Sequence, residues 1–252
     1  MSCLSVSDLA VDLRGRPVLS GVSFEIGSHE LVGLIGANGT GKTTLMRACL
    51  GLIEHSGRSS LAELPPRARG QMAAWMPQAR EIAWPVSVET LVMLGRTPHL
   101  APGQGPSAAD HAAVARALSE MGLEAFRQRT ATRLSGGEQA RALLARAMAQ
   151  ETRLLMADEP IAGLDPAHQI STMRSFARLA GAGRSVLVSL HDLGLAARHC
   201  TRVIVLGNGG IVADGAPGQV LTPELIRDAF GITAWFQNTD QGPVFQPLEV
   251  LE

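Results

Sequence analysis

The chain has 252 residues, 46% hydrophobic and 18% charged, with 22 basic side chains against 23 acidic ones and a formal charge of −1. That length can bury the core of one large α/β domain, or of a core domain carrying a smaller insert, and the composition excludes a disordered or fibrous protein. With no net basic field, nucleic acid is disfavoured as a partner.

In chain order, the N-terminus MSCLSVSDLAVDLRGR carries Asp8 and Asp12 where a signal peptide needs a basic start and an apolar run, so a cytosolic protein is expected. Residues 30–36, ELVGLIG, read as a short apolar strand, and the segment after Lys42 has Leu45, Cys49 and Leu52 at helical spacing. Ser87 is a helix N-cap for a segment reaching Gly95, and Asp110 to Met121 repeats the helical pattern. Between them the longest run free of Asp, Glu, Lys and Arg, Thr97 to Ala109, holds 13 residues with Pro98, Pro102 and Pro106, which cannot span a bilayer. A third helix is expected from Gly137 to Ala149. RLLMAD (153–158) and SVLVSLH (185–191) read as buried parallel strands, and 202–215 as a hairpin about Gly-Asn-Gly-Gly. A short mixed tail follows from Ala216. Cys3, Cys49 and Cys200 show no disulfide or zinc spacing and read as small apolar residues.

Three segments carry chemistry. GANGTGKT, Gly36 to Thr43, matches a phosphate-binding loop in the strand-to-helix context that its mechanism needs. Its glycines let backbone N–H groups turn towards phosphate oxygens, Lys42 reaches the β- and γ-phosphates and the Thr43 hydroxyl ligates magnesium. Lys42 is the only lysine, the other 21 basic residues being arginine, which suggests a position that needs an ammonium. Asp158 and Glu159 end an apolar strand, as does His191, and in an open parallel sheet such ends converge on one edge with Gly36. There an Asp can hold magnesium through water and the next carboxylate can polarise an attacking water. Ser135, Gly136 and Gly137 start a helix, a second anion-binding N-terminus. One nucleotide cannot use both helix starts, so two copies arranged head to tail are expected.

These motifs, in this order and spacing, resemble the nucleotide-binding subunits of ABC transporters over nearly the whole chain. Gly36, Ala37, Asn38, Gly39, Thr40, Gly41, Lys42, Thr43 and Thr44 resemble the Walker A motif, Gln78 in WMPQ the Q-loop glutamine, and Ser135, Gly136, Gly137 and Glu138 in LSGGE the signature. LLMADEP resembles Walker B, AGLD with Asp165 the D-loop, and His191 the switch histidine. The resemblance implies an α/β fold, a P-loop NTPase domain of ABC type with an antiparallel β portion and a helical insert. Its ATP-binding core would comprise 1–80 and 151–215, its helical subdomain 81–150, and its tail 216–252. ATP and Mg2+ are implied as cofactors, with Thr43, Gln78 and Asp158 about the metal. Glu159 would activate water with Lys42 in attendance, while Gln78 and His191 sense magnesium and the γ-phosphate. Ser135 and Gly137 would grip the γ-phosphate bound to the opposite subunit, with Asp165 at the seam. Implied partners are a second copy in a homodimer, two membrane permease subunits and a periplasmic or extracellular substrate-binding protein, on the cytoplasmic face of the inner membrane.

Two positions depart from the family pattern. The chain has no Tyr, and Leu13 stands where an adenine-stacking aromatic is usual; Ala162 replaces a common D-loop Ser. LGRTPH (94–99) and VLTPELIRDAFGI (220–232) resemble importers of ferric siderophores, haem or cobalamin. The alternatives are another transporter class, exporter or importer, and a soluble ABC ATPase of DNA repair or ribosomes. Against the last, only 56 residues separate Gln78 from Ser135, without sustained heptads, and the chain holds a single cassette. A kinase would have no use for the signature. Trp75, Trp84 and Pro85 about the Q-loop suit either a coupling surface within Gln78 to Arg96 or core packing.

Overall fold

Two antiparallel strands, β1 (Leu4–Leu13) and β2 (Arg16–Ile26), precede β3 (Leu31–Ile35), the phosphate loop and helix α1 (Lys42–Cys49) in a computed structural model of the chain. It describes residues 2–79, 81–101, 103–240 and 242–251, so Pro102 of the expected loop, and Arg80 within the expected coupling segment, lie outside the described residues. Next come β4 (Ser56–Ser59), α2 (Pro66–Met72) and β5 (Ala73–Met76). The helices α3 (Val88–Met93), α4 (Ala108–Glu120) and α5 (Gly136–Ala149) follow, with a 3₁₀ turn over Leu94–His99. The chain then runs β6 (Leu154–Ala157), α6 (Pro166–Gly181), β7 (Ser185–Ser189), α7 (Leu193–His199), β8 (Arg202–Gly207) and β9 (Gly210–Gly215). Its tail carries α8 (Pro217–Val220), α9 (Pro223–Phe230), β10 (Ile232–Thr239) and β11 (Gly242–Val250).

The central sheet has the order β5-β6-β7-β3-β8-β9, parallel except for β9. Because side chains alternate across a strand, its apolar runs feed two cores. Leu31, Ile35, Leu155, Val186 and Val188 face the helical side, where they meet α3, α4, α5 and Phe176 of α6. Val32, Leu34, Leu154, Met156 and Leu187 face α1 and the antiparallel sheet β2-β1-β4. Burial on both faces explains why these strands read as continuous apolar runs, each fully buried Leu, Ile or Phe contributing about 1.5–3 kcal/mol.

Serine starts each helix of the insert. Ser87 accepts from the Thr90 amide at 3.1 Å, and Ser107 with Asp110 and Ser135 with Glu138 close capping boxes. Helices α4 and α5 thus begin at Ala108 and Gly136, slightly earlier than their apolar positions suggest. Helix α3 ends at Met93 instead of continuing to Gly95, because the 3₁₀ turn lies against α5: a Cβ on Gly95 would stand 2.1 Å from the Arg146 carbonyl oxygen. The β8–β9 turn has positive φ at Asn208 (51°) and Gly209 (77°), the type I′ geometry that suits Asn-Gly. The tail is mixed, as expected, with two short helices followed by a hairpin that the sequence did not announce: in β10 and β11 Phe236 pairs with Phe245, both packed on the helical-side core.

Candidate active site

Parallel strand order puts three strand ends side by side. β3 leads into Gly36, β6 into Asp158 and Glu159, and β7 through Leu190 into His191, with β7 lying between the other two. The phosphate loop needs Gly36, since a Cβ there, at φ 153°, would sit 2.5 Å from the Leu206 carbonyl oxygen. Lys42 opens α1, is 6% exposed, and donates from Nζ to the carbonyl oxygens of Gly36 (2.7 Å) and Ala37 (3.1 Å). Burial lowers its pKa from the ordinary lysine value, and the Glu159 and Asp158 carboxylates act in the opposite direction. Thr40 donates from Oγ1 to the Ala37 oxygen, while Asn38 and Gly39 stand exposed and Thr44 half-buried in the first turn of α1.

Asp158 is buried and its two oxygens have different partners. Thr43 Oγ1 donates to Oδ2 at 2.7 Å and Ser189 Oγ donates to Oδ1 at 2.6 Å. Glu159 has φ 47°, a left-handed conformation that costs a non-glycine residue energy, and its carboxylate side chain is 17% exposed. Gln78 Nε2 donates to its Oε2 at 2.9 Å and His191 Nε2 to its Oε1 at 2.5 Å. An ionised carboxylate can only accept, so this contact with an ionised Glu159 requires the proton on His191 Nε2. Lys42, Thr43, Gln78, Asp158, Glu159 and His191 are therefore in one place.

The remaining predicted residues form a second group. Ser135, Gly136, Gly137 and Glu138 begin α5, where the Ser135 amide donates to the Glu138 carboxylate at 2.7 Å and the Glu138 amide to Ser135 Oγ at 3.3 Å. Hydrogen bonds from the Ser135 amide and hydroxyl hold the Glu138 carboxyl below the usual carboxylate range. A Cβ on Gly137 would lie 3.7 Å from Leu164, one residue before Asp165. Asp165 caps α6, accepts from the His168 amide at 3.1 Å and bonds the His168 ring at Nδ1, contacts that hold its carboxyl below the usual carboxylate range. On the far side of that ring, Arg141 of α5 donates to His168 Nε2 at 2.9 Å. Arg141 and His168 escaped sequence reading because their partner is 27 positions away and no local pattern marks the pair. Ser189 escaped it as well, although a hydroxyl two residues before His191, directly after the apolar run Val186–Val188, was its one visible signal.

A cleft of about 690 Å³ beside the phosphate loop is lined by Arg16, Pro17, Val18, Asn38, Thr40 and Asn208, whereas Leu13 stands 43% exposed at the end of β1. The tryptophans part company: Trp75 packs half-buried on the α1-side core, and Trp84 is 70% exposed. Among the described residues no helix is long and apolar enough to cross a membrane.

Comparison with known proteins adds independent findings. The sequence model described as "ABC transporter" matches residues 19–162. The chain is 40% identical over 234 residues to the cobalamin import ATP-binding protein BtuD of Halobacterium salinarum, with 90% of this chain covered but only 58% of that protein's length. It is 38% identical over 237 residues to the hemin import ATP-binding protein HmuV of Deinococcus radiodurans, with 90% of each covered. Among solved structures, a transporter titled as of metal-chelate ABC type, in an inward-facing conformation, superposes with a TM-score of 0.85 at 25% identity, over 99% of this chain and 98% of that one. An ATP-binding subunit of an ABC transporter superposes with a TM-score of 0.76 at 28% identity, over 90% and 93%.

Proposed function

Since the chain belongs to the ABC transporter family, we propose that it is the ATP-hydrolysing subunit of an importer that takes up haem, cobalamin or an iron chelate through separate membrane subunits. The observation that carries the hydrolytic part is the Glu159 carboxylate, held between Gln78 at 2.9 Å and His191 at 2.5 Å beside the phosphate loop. Each carboxylate oxygen has a second lone pair, so Glu159 can still accept the proton of a water while these donors fix its direction. Lys42 exchanges its loop carbonyls for β- and γ-phosphate oxygens, and the amides at the start of α1 add their dipole.

Thr43 and Asp158 offer hard oxygen donors next to each other. Such a pair suits an ion bound by few protein ligands and by phosphate oxygens, which is the habit of Mg2+. Thr43, Asp158 and Gln78 would hold it, and the ion would neutralise charge on the phosphate oxygens. Ser135 and Gly137, on a separate helix start with Asp165 nearby, would serve the nucleotide of a second copy in a head-to-tail homodimer. Two permease subunits and a substrate-binding protein outside the membrane would complete the importer, with this subunit on the cytoplasmic face. The cargo class rests on the relatives named for hemin and cobalamin import.

The test is affinity purification of tagged Glu159→Gln protein from detergent-solubilised native membranes with ATP present. Co-purification of a polytopic permease, whose paired binding protein then binds haem, cobalamin or a ferric siderophore, is the expected result. Ribosomes or DNA-repair proteins in place of a permease would overturn the importer reading.

A further inference from the structure

Ser189 holds two groups at once. It ends β7, fully buried, and its register places it opposite Leu34 of β3, with neighbouring Val188 opposite Ala157 of β6. Alternation along the strands then sends Ser189 to the same face as Leu187 and Met156, the face covered by α1, and Asp158 continues that face on β6. The hydroxyl donates its proton to Asp158 Oδ1 at 2.6 Å, and its oxygen accepts the Glu159 amide at 2.8 Å. One donor and one acceptor are all that a hydroxyl needs to satisfy both.

The second bond matters because of the backbone. At φ 47° Glu159 turns away from the strand. Its buried-side amide needs an acceptor that the sheet ladder no longer supplies, and Ser189 provides it. The first bond leaves Asp158 Oδ2 to Thr43 and fixes the rotation of the whole carboxylate. We infer that Ser189 is a positioning residue for hydrolysis, setting through one hydroxyl both the orientation of the Asp158 carboxylate and the backbone turn that aims Glu159. The inference rests on the proposed roles of Asp158 at the metal and Glu159 as base.

Ser189→Ala removes both bonds with little loss of volume, and Ser189→Thr keeps the hydroxyl. Four quantities are read on the purified full chain: kcat and KM for ATP, nucleotide affinity in EDTA and in Mg2+, and hydrogen exchange of the Glu159 amide without nucleotide. For Ser189→Ala the expected result is kcat lower by roughly 10–100-fold with KM within about 2-fold, the scale on which groups orienting metal ligands act. Affinity in EDTA stays near that of the unaltered chain while the Mg2+-dependent gain shrinks roughly 10-fold, and the Glu159 amide exchanges at least about 10-fold faster. Ser189→Thr recovers each value to within about 3-fold. Unchanged exchange and Mg2+ dependence in Ser189→Ala, or a Ser189→Thr as impaired as Ser189→Ala, would overturn the inference. If Ser189→Ala loses its fold, Ser189→Cys, which keeps the volume with a weaker donor, is read in the same assays against the same expectations. Glu159→Gln run in parallel separates the two levels. Turnover at the unaltered rate there removes the base assignment itself, whereas an inactive Glu159→Gln beside an unaffected Ser189→Ala removes the positioning role alone.

Discussion

The Thr43 hydroxyl donates to Asp158 Oδ2 at 2.7 Å, joining the first turn of the phosphate-loop helix to the end of a strand 115 positions later in the chain. If these two oxygens share one Mg2+, Thr43→Ala lowers turnover by about 10–100-fold and raises the Mg2+ concentration for half-maximal activity. Titrating Mg2+ at saturating ATP checks this. A variant with the ordinary Mg2+ requirement would show that Thr43 does not hold the ion.

Glu159→Gln keeps the volume and the contact with Gln78 but removes the acceptor for a water proton. Hydrolysis should fall by about 10²–10⁴, the range for loss of a general base, while ATP still binds and the protein accumulates as a closed dimer. Steady-state phosphate release and size-exclusion chromatography with ATP report the two effects.

Arg96 explains much of LGRTPH. It is buried, donates to Asp110 Oδ1 at 2.8 Å and to the Ala149 carbonyl at 2.7 Å, and pairs with Glu151 at 3.2 Å, tying the 3₁₀ turn to α4 and to the end of α5. Arg96→Met leaves a buried carboxylate without its cation and should cost about 3–5 kcal/mol, read by denaturant unfolding. Hydrogen bonds from Ser107 and Arg96 hold the Asp110 carboxyl well below the usual carboxylate range. A carboxyl depressed in the folded state contributes stability that is fully present above its unfolded pKa of about 3.9 and is lost as pH falls towards the folded value. Thermal melts from pH 7 to pH 2 should thus show an acid limb beginning near pH 4 that is shallower in Asp110→Asn.

Gly95 lets the backbone of the 3₁₀ turn approach the α5 backbone closely. Gly95→Ala places a methyl group 2.1 Å from the Arg146 carbonyl oxygen, which should destabilise the chain by about 1–3 kcal/mol or more. Gly105→Ala, where a Cβ meets nothing within 4 Å, should be neutral or slightly stabilising. Parallel melts of the two variants decide the matter.

Nucleotide selectivity follows from Leu13 and the cleft beside the phosphate loop. Its wall of Arg16, Pro17 and Val18 offers no aromatic ring, so ATP and GTP should be hydrolysed with kcat/KM values within about 10-fold of each other. A strong preference for ATP would contradict this.

The local grammar of the chain was legible because its determinants are close in sequence. Gly36 to Thr43 after an apolar strand, Ser87 as a cap, and Asn208-Gly209 between two strands each specify their geometry within a few residues. Convergence of Gly36, Asp158 and His191 on one sheet edge could also be expected, since parallel strands share an end for their exits. The β10–β11 hairpin was not legible: Pro243 and Pro247 argue against a strand, and they are accommodated in a two-stranded ribbon whose second edge needs no ladder partner. Nor could sequence show that α3 stops at Met93, because the limit is set by Arg146 in another helix. Thus the sequence alone determined which residue types were at hand for the proposed phosphate binding and proton transfer. Only the tertiary structure decided how they are held, because hydrogen bonds such as those of Ser189 to Asp158 and Glu159, or of Arg141 to His168, join groups that no spacing rule connects and that come within 3 Å only after the strands and helices pack.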